Sequence, residues 1–96
     1  MRLHVLNKSP GTSAALQSCL RAMARDDCLL LIEDGVYAAC TGHASELLAS
    51  GCKLLVLAPD ADARGLRQRL DRGVELVDYA GFVALAAECA AVQSWY

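Results

Sequence analysis

The sequence predicts an α/β fold built on a small, mainly parallel sheet of about four strands flanked by helices. Two observations carry this. The run Leu29 to Ala39, LLLIEDGVYAA, opens with four apolar residues, stops at two carboxylates and a glycine, and then turns apolar again. A short, wholly apolar run closed by a turn signal reads as a strand buried on both faces, as in a parallel sheet covered by helices. Strand-like segments also alternate with helix-capable ones along the chain, the pattern of βαβ units.

The first strand spans Arg2 to Leu6 and gives way to the loop Asn7-Lys8-Ser9-Pro10-Gly11. Thr12 or Ser13 can then cap a helix running to about Arg25, whose residues Leu16, Cys19, Leu20 and Met23 fall on one stripe. The second strand is Cys28 to Ile32; Asp34 can cap the helix after it, which Thr41-Gly42 interrupts before Ala44 to Ala49 resumes it. The third strand, Lys53 to Leu57, ends at Pro59-Asp60, which opens a shorter helix to about Leu70. The fourth, Val74 to Val77, meets Asp78, a cap for a final helix from Tyr79 to about Ala91.

At 96 residues the chain is predicted to form one domain. Its apolar fraction of 55% exceeds the usual ~45–50%, with aromatics supplying only 5%. The surplus reads either as subunit interface or as close helix packing through small alanines. A net charge of −2, with acids and bases mixed, carries no footprint for direct nucleic-acid binding. The local basic group Arg64, Arg67, Arg69 and Arg72 is interleaved with Asp60, Asp62 and Asp71, and Asp60 with Arg64 reads as an ordinary i, i+4 pair on a solvated face. The apolar stretch in MRLHVLNKSP is too short for a signal peptide, and no run approaches the ~18 apolar residues of a membrane span. A soluble, cytoplasmic chain is expected. Five cysteines at 19, 28, 40, 52 and 89 form no C-x-x-C pair and no metal cluster with His4 or His43, so reduced thiols, no metal and no cofactor are expected.

The loop NKSPGTS lacks both the dinucleotide fingerprint and the Walker A pattern, and the adjacent carboxylates Glu33 and Asp34 repel phosphate. Lys8 beside the first helix leaves a small-anion site conceivable. Cys19 is the sharpest candidate for chemistry, yet its helical neighbours Ala15, Leu16, Ala22 and Met23 offer nothing to stabilise a thiolate. Cys28 opens a buried strand, Cys40 sits near a helix C-terminus, Cys52 follows Gly51 in a turn expected to be exposed, and Cys89 shares a stripe with Phe82, Leu85 and Ala86. His4 reads as a hydrogen-bonded strand histidine, and His43 lies in a polar turn. Trp95 and Tyr96 read as docking aromatics, on this chain or on a neighbour.

These segments together resemble the TusB/DsrH family of sulfur-relay subunits. The resemblance rests on His4-Val5-Leu6-Asn7-Lys8-Ser9-Pro10, Leu16-Gln17-Ser18-Cys19-Leu20, Leu31 to Ala39, Ala63-Arg64-Gly65, Asp78 to Val83 and Val92-Gln93-Ser94-Trp95. It covers essentially residues 1–96 and implies one DsrE-like domain that joins TusC/DsrF-type and TusD/DsrE-type subunits in a heterohexamer. In the tRNA branch, such a complex passes persulfide sulfur to a TusE/DsrC-type acceptor on the way to 2-thiouridine at the wobble position. In the dissimilatory branch, similar subunits serve sulfur oxidation. The family's principal persulfide cysteine belongs to the TusD/DsrE-type subunit. Cys19 matches a cysteine of DsrH-type members, and this match makes it a candidate persulfide carrier.

Overall fold

The computed structural model describes residues 1–11, 13–40, 42, 44–49 and 51–96. Five strands form one sheet: β1 (Arg2–Leu6), β2 (Cys28–Leu31), β3 (Lys53–Leu57), β4 (Glu75–Val77) and β5 (Ala91–Trp95), in the order β4-β3-β2-β1-β5. Every pairing is parallel. The helices are α1 (Ala15–Ala22), α2 (Ala44–Ala49), α3 (Ala58–Ala63) and α4 (Tyr79–Glu88), with 3-10 turns at Glu33–Ala39 and Arg67–Arg69.

The four residues of β2 are all buried, as their unbroken apolar run requires, and the last four residues of β1 and of β3 are buried with them. Side chains alternate between two layers. Leu6, Leu29, Leu31, Leu54 and Val56 meet α1, the Glu33–Ala39 turn, α2 and α3. Leu3, Val5, Cys28, Leu30 and Leu55 meet Phe82, Leu85, Ala86 and Cys89 from α4 and the segment after it, with Ile32 and Val77 alongside. The chain order explains this inequality. Steps from β1 to β4 all move one way across the sheet, whereas the return to β5 moves the other way. A crossover of constant hand then deposits its helix on the opposite face.

Three expectations are corrected. First, the final helix stops at Glu88, and a fifth strand follows, pairing Arg2 with Ala91 through Leu6 with Trp95. This strand is exposed or half-buried throughout, so Gln93 and Ser94 break any apolar run that would announce it. Second, Asp34 is not a cap. The 3-10 turn begins a residue earlier, and its Glu33 N–H donates to the carboxylate of Asp60, 2.7 Å away, while Asp34 receives Arg64 at 3.1 Å. Arg64 therefore reaches Asp34 and the Asp60 carbonyl, and the expected i, i+4 carboxylate pair does not form. Third, the helix from Pro59 is only the short α3 and a separate 3-10 turn.

Capping by sequence-distant carboxylates recurs at α2, where Asp71 accepts from the N–H groups of Gly42 and Ala44. A local cap holds at α4. Asp78 accepts from Gly81 N–H at 2.7 Å; Ser13 accepts from Ala15 N–H at 3.0 Å but stands one residue before the N-cap of α1, which is Ala14 and not the expected Ser13. Thr12, the other cap considered for α1, and Thr41 in the interruption before α2 lie outside the described residues.

Gly35 fixes how closely the 3-10 turn approaches β1. A Cβ there would strike the carbonyl oxygen of Leu6, which is backbone and cannot swing aside. The Leu6 carbonyl also accepts from Ile32 N–H at 3.0 Å, so moving it breaks a ladder bond. Gly35→Ala is expected to cost about 3 kcal/mol, at the upper end for overpacking, read as a lower midpoint in urea unfolding with unchanged slope; a change below about 1 kcal/mol would show that the turn can retreat.

Candidate functional site

Cys19 lies on the stripe predicted for α1, and its side chain is completely buried against the sheet with Leu16. Burial pushes its thiol up to about 12, and the nearby Cys52 and Asp27 push in the same direction. At neutral pH such a thiol is about 10⁻⁵ ionised, roughly a thousandfold less than an ordinary cysteine. α1 carries no acid in its first turn and only Arg21 in its last, and Arg21 donates to Ser18.

The strongest polar arrangement in the interior joins three segments that the sequence left separate. His4, fully buried in β1, places Nε2 3.0 Å from the carboxylate of Asp27 and accepts at Nδ1 from the indole N–H of Trp95 at 3.1 Å. An indole nitrogen only donates, so Nδ1 is the acceptor and Nε2 carries the proton given to Asp27. The His4 and Trp95 rings stack, with centroids 6.1 Å apart. Asp27 also accepts from Arg2 N–H and Ala24 N–H, each at 3.0 Å. Desolvation, the largest single influence, raises the Asp27 carboxyl, but its hydrogen bonds from Ala24, His4 and Arg2 outweigh this together and hold it down at about 2. His4 is thus the satisfied strand histidine expected, and Trp95 docks on its own chain. Asp27 was not singled out from sequence; a histidine inside an otherwise apolar strand implies a buried partner, and Asp27 stands just before the neighbouring strand.

None of the other described thiols is hydrogen-bonded to this network. Cys28 is buried at the start of β2, its Sγ 3.9 Å from the Met1 sulfur, and burial raises it. Cys40 is half-buried over Val36, raised by burial and by Asp71. Cys52 corrects an expectation: it is buried, not exposed, and donates to the Leu47 carbonyl at 3.1 Å. The turn that follows α2 folds it inward, on the same side of the sheet as Leu54. Cys89 caps α4 at its C-terminus. Lys8 is exposed, and His43 lies outside the described residues. Among the basic residues, Arg67 pairs with Asp62 at 2.6 Å on an exposed face, and Arg64 pairs with Asp34 in place of the expected Asp60. Among the described residues no group of three or more His, Cys, Asp or Glu could hold a metal ion, and no helix is long and apolar enough to cross a membrane.

A five-stranded parallel sheet with this order, the short helical segments α1, α2 and α3 on one face and α4 on the other defines a DsrE-like α/β domain. Solved structures share that fold. The crystal structure of the YchN protein from E. coli superposes with a TM-score of 0.82 at 21% identity, covering 97% of each chain. The solution structure of Tm0979 from Thermotoga maritima gives 0.69 at 23% identity, covering 91% of this chain and 92% of that one. The model of the DsrH like protein family matches residues 8–92. Protein TusB of Pectobacterium parmentieri is 41% identical over 95 residues, 97% of this chain and 99% of that protein, and Protein TusB of Klebsiella pneumoniae (strain 342) is 41% identical over the same coverage. The chain belongs to the TusB/DsrH family.

Two outcomes follow from the buried groups. The carboxyl of Asp27 titrates lower in the folded chain than its ordinary 3.8, so its contribution, about 2 kcal/mol, is present above that value and is lost as the pH falls toward 2. Asp27→Asn should therefore lose about 2 kcal/mol in urea unfolding at pH 6, and its deficit against wild type should shrink as the pH drops to 2; a pH-independent deficit would contradict the assignment. Iodoacetamide at pH 7 should alkylate Cys40 and Cys89 well before Cys19, with Cys19 labelled only at the rate of unfolding; peptide mapping over time reads the order.

Proposed function

We propose that the chain is a non-catalytic assembly subunit of a cytoplasmic sulfur-relay complex of the TusBCD type. In this reading it joins TusC/DsrF-type and TusD/DsrE-type subunits in a heterohexamer. The complex hands persulfide sulfur to a TusE/DsrC-type acceptor on the way to 2-thiouridine at the tRNA wobble position. Family membership supplies the class of activity. The observation that carries the assembly role is the thinly covered face of the sheet.

On that face α4 leaves Tyr79 60% and Val83 69% exposed, and Val92 of β5 is 48% exposed. Tyr79, Ala80, Val83, Ala84 and Ala87 are all exposed, so α4 turns small and apolar side chains outward as well as inward. The accessible surface of 5244 Å² is close to the ~5,300 Å² ordinary for this mass. Loose packing therefore does not account for the wet apolar residues; a surface intended for burial does.

The alternative, a DsrH-type subunit of a dissimilatory sulfur-oxidation complex with Cys19 itself carrying persulfide, requires a thiolate. The complete burial of Cys19 and its raised titration support packing as its role instead.

Co-expression with the two sister-type subunits is expected to yield one co-eluting complex. Val83→Glu should weaken its assembly at least tenfold while leaving the isolated chain folded by circular dichroism. A stable monomer that ignores both subunits would overturn the proposal. Persulfide trapping on the assembled complex should label a partner cysteine and not Cys19; a label lost specifically in Cys19→Ala would favour the alternative.

A further inference from the structure

Three sulfur-bearing side chains gather at the amino end of the sheet, on the face that carries α4. Cys28 opens β2 there, buried in one cluster with Leu3 and Val5. Met1 stands two residues before Leu3, and its Sδ lies 3.9 Å from the Cys28 Sγ. Cys89 packs against the same cluster, and the next residue, Ala90, donates its N–H to the Met1 carbonyl at 3.0 Å. The strand register agrees, since Leu3 pairs with Cys28 on one flank and with Val92 on the other. Burial is the largest influence raising the Cys28 thiol and Cys89 is the next, so the two thiols stand within electrostatic reach of each other.

The donor set is soft. Thiolate and thioether sulfur together select Cu(I) over the harder divalent ions. Two sulfurs each about 2.3 Å from one ion and about 120° apart are about 4.0 Å from each other. Cys28 and Met1 already stand at 3.9 Å. Zinc would instead call for four nitrogen, oxygen or thiolate ligands. The carboxylate next in sequence, Asp27, is committed to Arg2, Ala24 and His4. Access is open on one side, because Met1 is exposed and lines a cavity of about 260 Å³ with Arg2, Asp27 and Ala90. An ion arriving there meets the thioether first and the buried thiol behind it.

We propose that Cys28, Met1 and Cys89 form a three-sulfur site for a soft monovalent metal ion, Cu(I). The Cys28 S–H bond breaks, its proton passes to solvent, and an Sγ–Cu bond forms in its place. The Met1 Sδ donates a lone pair, and Cys89 gives up its proton in the same way to close a trigonal set. Copper enters and remains in the +1 state, so no oxidant or reductant takes part. The inference does not depend on the sulfur-relay reading.

The test is an anaerobic titration of the reduced chain with Cu(I), supplied as its acetonitrile complex, in competition with the chelator bicinchoninate. The chain has two methionines, so ¹³C-methyl labelling gives two resonances, with Met23 as the internal reference. The first equivalent is expected to bind as a single ion by native mass spectrometry and to shift the Met1 methyl while leaving that of Met23 in place. Cys28→Ala should lose this ion, and Cys40→Ser should retain it. Cys89→Ser, at a half-buried position, should weaken it by no less than the roughly tenfold that even a supporting contact contributes to a metal site. An unmoved Met1 methyl, undiminished affinity in Cys28→Ala or Cys89→Ser, or loss of the first ion in Cys40→Ser would overturn the proposal. Zinc(II) shifting the same methyl at equal affinity would overturn the assignment to a soft monovalent ion.

Discussion

The hydrogen-bonded chain Trp95–His4–Asp27 is the constraint on which the rest of the structure depends. It runs across β1, which lies between β2 and the edge strand β5, and ties the turn before β2 to the last strand. Each member leaves the others no freedom. The indole N–H sets the histidine tautomer, the histidine then donates to the carboxylate, and two backbone N–H groups complete the carboxylate's partners. Removing any one of the three would strand a buried polar group, which costs more than the bond itself contributes. The network thus selects one register of β5 against β1, something the weakly apolar β5 could not do through packing alone.

With the strands so fixed, the two faces acquire different tasks. The face that carries α1, α2 and α3 holds most of the fully buried side chains, Cys19 among them. The other face holds a smaller cluster beneath α4, with its partners only half-buried. The first face gives the chain its stability; the second leaves Tyr79, Val83 and Val92 exposed. Cys19 falls on the stabilising side. The same packing that makes it a good core residue keeps its thiol protonated.

Much of this was legible in the sequence because it depends on near neighbours. Strands β1, β2 and β3 announce themselves as apolar runs, Asp78 caps the residue three places on, and the stripe through Leu16 and Cys19 follows from helical spacing. What was missed depends on distant partners. Asp60 caps a turn that Asp34 had seemed placed to cap, because the carboxylate reaches it from the next crossover. Cys52 is turned inward by the fold of the segment around it, and Asp27 gains its meaning only when β1 and β2 pair.

That return has a kinetic side. The partner of residues 2–6 on one flank is residues 91–95, so closing the sheet joins segments separated by nearly the whole chain. Contacts of such long range form slowly, since the entropy of closing the loop is lost before any pairing compensates it. During synthesis β1 emerges first and must wait for β5, presenting for that interval an unpaired parallel edge beside a buried histidine. A strand that the finished sheet encloses on both sides is therefore, for most of the time the chain is being made, its most vulnerable border.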